Sequence, residues 1–156
     1  MNRKVKKVCF AASSGGHLEQ LLMLKPLMDR YDSFILTEKT DYNSAICDVR
    51  TYYVRQVNRK EILFPLKLLA NAFRETAVFI KERPDAVVST GVLAVIPVCL
   101  LAKLFGKKLV YIESFAKVSS ATETGKLMYR FADRFYVQWE PMKDIFPNAI
   151  YLGGIY

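Results

Sequence analysis

The run Ala11-Ala12-Ser13-Ser14-Gly15-Gly16-His17-Leu18-Glu19-Gln20-Leu21 changes character at its glycine pair. Before it lies an apolar stretch, Val8-Cys9-Phe10-Ala11-Ala12, and after it leucines recur at helical spacing, Leu18, Leu21 and Leu22. That reads as strand, tight turn, helix start. The two glycines permit backbone torsions and a close approach that side chains forbid. The helix start directs free N–H groups and a partial positive charge at whatever lies above the turn, which suits a phosphate or diphosphate. The stretch lacks the Lys-Ser/Thr ending of a P-loop and the full glycine spacing of a dinucleotide fingerprint. A plain strand-to-helix turn carrying a histidine remains the alternative reading.

Working outward, strand and helix patterns alternate. After a helix over 17–29, short strands are predicted at 33–37 and 51–55, separated by a polar loop with a short helix over 41–48. A long helix covers 62–83, with Pro65 tolerable in its first turn. Ala86-Val87-Val88-Ser89 is a buried strand that breaks at Thr90-Gly91 before a helix over 93–105, which Gly106 stops. A strand over 109–112 ends at Glu113-Ser114. A polar loop over 118–124, a helix over 125–132, and strands at 135–138 and 150–152 complete the chain. The apolar runs are short and continuous, as in a parallel sheet covered on both faces. The expected fold is therefore α/β, a Rossmann-like parallel sheet with helices on both faces, in a single domain over 1–156. In such sheets ligands bind beyond the carboxyl ends of the strands. The turns Ser13–His17, Thr90-Gly91 and Glu113-Ser114 all sit at such ends, so they are expected to meet in one site.

Composition narrows the function. Of the 156 residues 52% are hydrophobic and 13% aromatic, which excludes disorder. Three cysteines, Cys9, Cys47 and Cys99, show no metal or redox spacing, and His17 is the sole histidine, so neither a metal nor another cofactor is expected. No apolar run is long enough for a signal peptide or a spanning helix, so peripheral attachment is expected. The net charge of +8 calls for an acidic partner. Basic residues are not interleaved with aromatics in an RNA-binding motif, so an anionic membrane surface is favoured over nucleic acid.

The 62–83 helix sharpens that choice. Ile62, Leu66, Leu69, Phe73, Ala77 and Ile80 make one stripe at helical spacing, while Leu63, Phe64, Leu68 and Phe79 fall outside it. Arg59, Lys60, Lys67, Arg74, Lys81 and Arg83 surround them. One apolar stripe is enough for a core helix. The surplus marks Lys60, Leu63, Phe64, Lys67, Leu68 and Phe79 as candidate membrane contacts. Deep burial in a large core is the competing reading.

Four motifs in order carry a resemblance. Ser-Ser-Gly-Gly-His-Leu-Glu-Gln at 13–20, Ser-Thr-Gly at 89–91, Tyr-Ile-Glu-Ser at 111–114 and Arg-Phe-Ala-Asp-Arg-Phe at 130–135 resemble the Alg14 family of glycosyltransferase subunits. That family includes bacterial capsule and exopolysaccharide proteins of the PssD and CpsF type. The same order resembles the N-terminal half of MurG-type transferases, and the likeness covers nearly the whole chain. It implies the N-terminal, acceptor-side half of a GT-B glycosyltransferase, peripheral on the cytoplasmic face of the cell membrane. A separate Alg13-like subunit would bind the UDP-sugar, and the acceptor would be a lipid-linked sugar diphosphate. Carried over, Ser13, Ser14, Gly15, Gly16, Thr90, Gly91 and Ser114 would line the substrate site. His17 or Glu113 would deprotonate the acceptor hydroxyl. Two other roles are open: a non-catalytic activator or membrane recruiter of a partner transferase, and a free-standing nucleotide-binding domain.

Overall fold

A computed structural model describes residues 6–40, 48–58 and 60–156. Arg59, the first five residues of the basic N-terminus and the predicted loop and helix over 41–47 lie outside the described residues. Seven strands form one sheet, β1 (Lys7–Ala12), β2 (Asp32–Glu38), β3 (Arg50–Val54), β4 (Ala86–Gly91), β5 (Lys108–Ile112), β6 (Arg134–Val137) and β7 (Ile150–Tyr151). Their order is β3-β2-β1-β4-β5-β6-β7 and every pairing is parallel. The order reverses between β1 and β4, which places the crevice for a ligand above those two strands.

The helices are α1 (Gly16–Leu22), α2 (Lys25–Met28), α3 (Phe64–Glu82), α4 (Ile96–Leu104) and α5 (Glu123–Met128). The helix expected over 17–29 is two helices. Pro26 has no N–H to donate into a continuing helix, so the chain restarts at α2 with that proline in its first turn. Residues 93–95 form a 3-10 turn rather than the start of α4, whose own first turn holds Pro97. The helix expected over 125–132 is the shorter α5, and it begins earlier because the Thr122 side chain caps it, accepting from the Gly125 N–H.

Side chains alternate between two cores, as a sheet buried on both faces requires. Cys9, Ala11, Phe34, Leu36, Val87, Leu109, Tyr111 and Phe135 join residues of α3, α4 and α5 on one face. Val8, Phe10, Ala12, Ile35, Val88 and Ile112 join Leu18, Leu21 and Met28 of α1 and α2 on the other.

The long helix α3 reverses the orientation that its periodicity indicates. The stripe Ile62, Leu66, Leu69, Phe73, Ala77 and Ile80 faces outward, with Ile62 96% and Phe73 71% exposed. Its buried residues are Asn71, Glu75, Val78, Phe79 and Glu82. Each of its buried polar residues has a hydrogen-bond partner on another element or loop. Asn71 Oδ1 accepts from the Arg55 N–H (2.9 Å), and its amide donates to the Arg55 carbonyl (2.7 Å). Glu75 accepts the Val98 N–H at the start of α4 (2.7 Å). Glu82 receives Tyr52 Oη and Lys7 Nζ, with Arg50 nearby. Burial alone would raise the Glu82 pKa, but these hydrogen bonds and charges outweigh it and hold the carboxyl below its usual range.

The candidate membrane contacts are corrected accordingly. Phe79 is 4% exposed and packs on Phe105, ring centroids 5.5 Å apart, so it is a core residue. Phe64, Lys67 and Leu68 are half-buried, while Lys60 and Leu63 are exposed. The outward apolar face belongs instead to the stripe that spacing had assigned to the core.

Candidate functional site

The chain leaves β1 at Ala12, which is in register with Gly91 at the end of β4. Ser13 continues that contact, its N–H donating to the Gly91 carbonyl (2.9 Å). Gly15 then takes φ 73°, a conformation that disfavours a side chain, and α1 begins. Its second residue, His17, is locked to the neighbouring turn. The Thr90 carbonyl can only accept, so His17 Nδ1 carries the proton and donates to it (2.8 Å). Thr90 Oγ1 donates back to the His17 carbonyl (2.7 Å). The proton on Nδ1 leaves Nε2 as the basic nitrogen. Gly91 has φ 93°, and a Cβ there would lie 2.9 Å from Tyr111 Oη and 3.7 Å from His17 Nδ1. Only a glycine lets the two turns close this far.

Glu113, just past β5, is 1% exposed. Its carboxylate accepts from the Ser114 N–H (2.8 Å) and from Thr122 Oγ1 (2.9 Å to Oε1, 3.1 Å to Oε2). It rests on the backbone of α5, where a Cβ on Gly125 would be 1.7 Å from Oε2. Burial pushes its pKa up, against the hydrogen bonds from Ser114 and Thr122 and the charge of His17. Its backbone is fixed as well, since Gln138 Nε2 donates to the Glu113 carbonyl (2.8 Å).

A cleft of about 430 Å³ opens beside these turns, lined by Gly16, His17, Gln20, Ser114, Phe115, Ala116 and Tyr156. Three sequence-predicted site residues, Gly16, His17 and Ser114, line it directly. Thr90 and Gly91 lie behind His17, and Glu113 is in the wall beneath Ser114. Ser14 and Ser13 turn away from it. Ser14 donates from both its N–H (3.1 Å) and Oγ (3.0 Å) to Glu38, and Ser13 borders a separate hollow of about 190 Å³. Among the described residues no group of His, Cys, Asp and Glu is placed to hold a metal ion.

Sequence reasoning missed Glu38, Gln20 and Phe115. Glu38 ends β2 and ties the glycine loop to the segment after β3, accepting also from the Val57 N–H (2.9 Å). A carboxylate closing an apolar strand run was the available signal. Gln20 faces the cleft from the second turn of α1, and no spacing rule distinguishes it from a surface glutamine. Phe115 joins Trp139, whose Nε1–H donates to the Phe115 carbonyl (2.6 Å) with the rings 4.8 Å apart. Asp133, within the 130–135 motif, is a structural anchor. Asp133 pairs with Lys103 (2.7 Å) and Lys108 (3.2 Å) and accepts the Leu109 N–H (2.8 Å). Partial burial opposes ionisation there, but these partners bring the pKa down to about 2.

The chain is similar to known proteins. Human "UDP-N-acetylglucosamine transferase subunit ALG14" is 37% identical over 81 residues, 48% of this chain and 38% of that protein. The UDP-N-acetylglucosamine–N-acetylmuramyl-(pentapeptide) pyrophosphoryl-undecaprenol N-acetylglucosamine transferase of Prochlorococcus marinus is 29% identical over 151 residues, 89% of this chain and 41% of that one. The matches thus span less than half of either relative. Acinetobacter baumannii MurG superposes with a TM-score of 0.70 at 20% identity, covering 87% of this chain and 42% of MurG. The fold is therefore that of one Rossmann-like half of a GT-B glycosyltransferase. The family described as "Oligosaccharide biosynthesis protein Alg14 like" matches residues 8–155, and the chain belongs to that family.

Proposed function

We propose that this chain is the acceptor-side, membrane-facing subunit of a two-component UDP-sugar transferase. An Alg13-like partner would contribute the donor-binding half, and the acceptor would be a sugar on a polyprenyl diphosphate, as in capsular or exopolysaccharide repeat-unit synthesis. The observation that carries this reading is the meeting of the glycine-histidine loop with the Thr90-Gly91 turn above the reversal in strand order. The names of the relatives support the sugar chemistry.

In this reading His17 Nε2 accepts the proton of the acceptor hydroxyl. The freed oxygen bonds to the anomeric carbon of the donor sugar as that carbon's bond to the UDP oxygen breaks, and UDP leaves. Thr90 holds the imidazole in the tautomer that makes Nε2 basic. Gly15 and Gly16 bring backbone N–H groups toward the acceptor diphosphate. Glu113, within the wall, opposes the positive charge that His17 gains.

Attachment to the cytoplasmic face of the membrane would use the outward face of α3. No helix among the described residues is long and apolar enough to cross a bilayer. Ile62, Leu63, Leu66, Leu69, Phe73 and Ile80 would enter the lipid boundary. Lys67, Arg74 and Lys81 recur every seven residues, so they form a row along one edge, suited to anionic headgroups.

The test is a transferase assay with labelled UDP-sugars and bacterial membranes, using this chain, its candidate partner and both together. Activity that appears or rises sharply only with both supports the split enzyme. No change on adding this chain overturns it.

A further inference from the structure

Three polar groups on the cleft wall have no partner among the described residues. Gln20 is 4% exposed, and its Oε1 accepts a long contact from Gln138 Nε2 (3.5 Å), but its own amide N–H groups donate to no other described residue. Gln20 lines the cleft, which gives the amide a place to donate. Ser114 is buried but lines the cleft, and its Oγ has no partner among the described residues. His17 Nε2 is the third group, since Nδ1 is spent on Thr90.

Beside these groups the wall turns aromatic. Phe115 is half-buried between Trp139 (4.8 Å) and Tyr156 (4.9 Å), and both Phe115 and Tyr156 face the cleft. Gly16 and Ala116 leave room between the polar and the aromatic sides. A simple anion needs no ring surface, and an apolar ligand would strand the Gln20 amide. A pyranose ring satisfies both sides, with hydroxyls for the amide and the serine and a C–H face for an aromatic ring. A volume of about 430 Å³ accommodates one such ring with its substituents.

We propose that Gln20, Ser114 and Phe115 form a sugar-ring subsite in which Gln20 Nε2 and Ser114 Oγ bond hydroxyls of the ring and Phe115 supports its apolar face. It rests on the glycosyltransferase reading and adds to it the residues that select the acceptor sugar. The subsite places a ring hydroxyl beside His17.

Trp139 is the sole tryptophan of the chain, and its contact with Phe115 makes it a reporter of the cleft. The purified chain would be titrated with glucose 1-phosphate and N-acetylglucosamine 1-phosphate, with inorganic phosphate and UMP as controls. Trp139 fluorescence and saturation-transfer NMR of the sugar protons are the readouts. Sugar phosphates are expected to change the emission and to receive saturation on ring C–H protons, with inorganic phosphate and UMP silent. Gln20→Met, close in volume but without donors, and Ser114→Ala should each weaken binding roughly tenfold. Phe115→Leu should abolish the transfer to ring protons, and circular dichroism checks that each variant is folded. Equal binding of inorganic phosphate, with Gln20→Met unchanged, overturns the sugar subsite and leaves the acceptor-side reading standing. Competition by UMP for the same cleft overturns both. Absence of binding by any probe overturns the subsite.

Discussion

His17 and Thr90 each donate to the other's backbone carbonyl, Nδ1 to O at 2.8 Å and Oγ1 to O at 2.7 Å. This reciprocal pair joins the first turn of α1 to the end of β4, one bond orienting the imidazole and the other fixing the His17 backbone.

If His17 is the base, His17→Ala should lower kcat of the two-component enzyme by about 10²–10⁴ with KM nearly unchanged. Thr90→Val removes only the bond to the His17 carbonyl, and leaves the carbonyl that orients the ring. It should therefore cost about tenfold, with Thr90→Ser restoring activity. Steady-state kinetics with both subunits present reads both effects. A loss below threefold in His17→Ala would reassign the histidine to loop structure and favour the non-catalytic activator.

The two glycines under the site should tolerate no side chain, for different reasons. Gly91→Ala meets a positive φ and the Tyr111 hydroxyl at 2.9 Å, so it should destabilise the fold by about 1–3 kcal/mol. Gly125→Ala meets no backbone strain but drives a methyl into Glu113, 1.7 Å from Oε2. That displaces the carboxylate from Ser114 and Thr122. Pairing Gly125→Ala with Glu113→Ala should recover part of the stability lost, because the offending group is gone. Urea midpoints of the single and double variants decide it, and strictly additive losses would show that Glu113 is not what the new methyl strikes.

The outward stripe of α3 separates membrane contact from core packing. Leu66→Glu with Phe73→Glu changes exposed residues only, so the protein should stay folded and lose sedimentation with phosphatidylglycerol vesicles. Phe79→Glu should instead prevent folding, since it buries a carboxylate among core residues. Binding by the unaltered chain should weaken with salt, because Lys67, Arg74 and Lys81 act through charge. Unchanged sedimentation of the double variant would place the contact elsewhere.

These results mark where sequence was informative. The alternation of short apolar runs with helical patterns was enough for a parallel sheet covered on both faces. The positions of Ser13–His17, Thr90-Gly91 and Glu113-Ser114 at strand ends brought the three turns together, because topology fixes that proximity whatever the side chains do. The burial of α3 was illegible for a definite reason. Periodicity finds an apolar stripe but cannot say which way it faces, and the inward face here is built on Asn71, Glu75 and Glu82. Their partners, the backbone of Arg55 and Val98 and the side chains of Lys7 and Tyr52, are distant in sequence. Gln20 was missed because an amide shows its role only when its neighbours leave it unbonded.

Glu75 supplies the last test. It has no exposed surface, accepts one hydrogen bond from the Val98 N–H, and its Oε1 has no partner among the described residues. Burial raises its pKa well above the ordinary 4.5, with the Val98 bond opposing. Folding therefore favours its protonated form. The stability tied to this group is fully present below pH 4.5 and is lost as pH rises toward the elevated native value. Glu75→Gln keeps an acceptor for Val98 and removes the ionisation. The variant should gain on the unaltered protein as pH is raised above 4.5, the gap being set by the burial of one carboxyl. Urea denaturation at several pH values measures that gap. Parallel stability curves for the two proteins would mean that the Glu75 carboxyl titrates alike in the folded and unfolded chain.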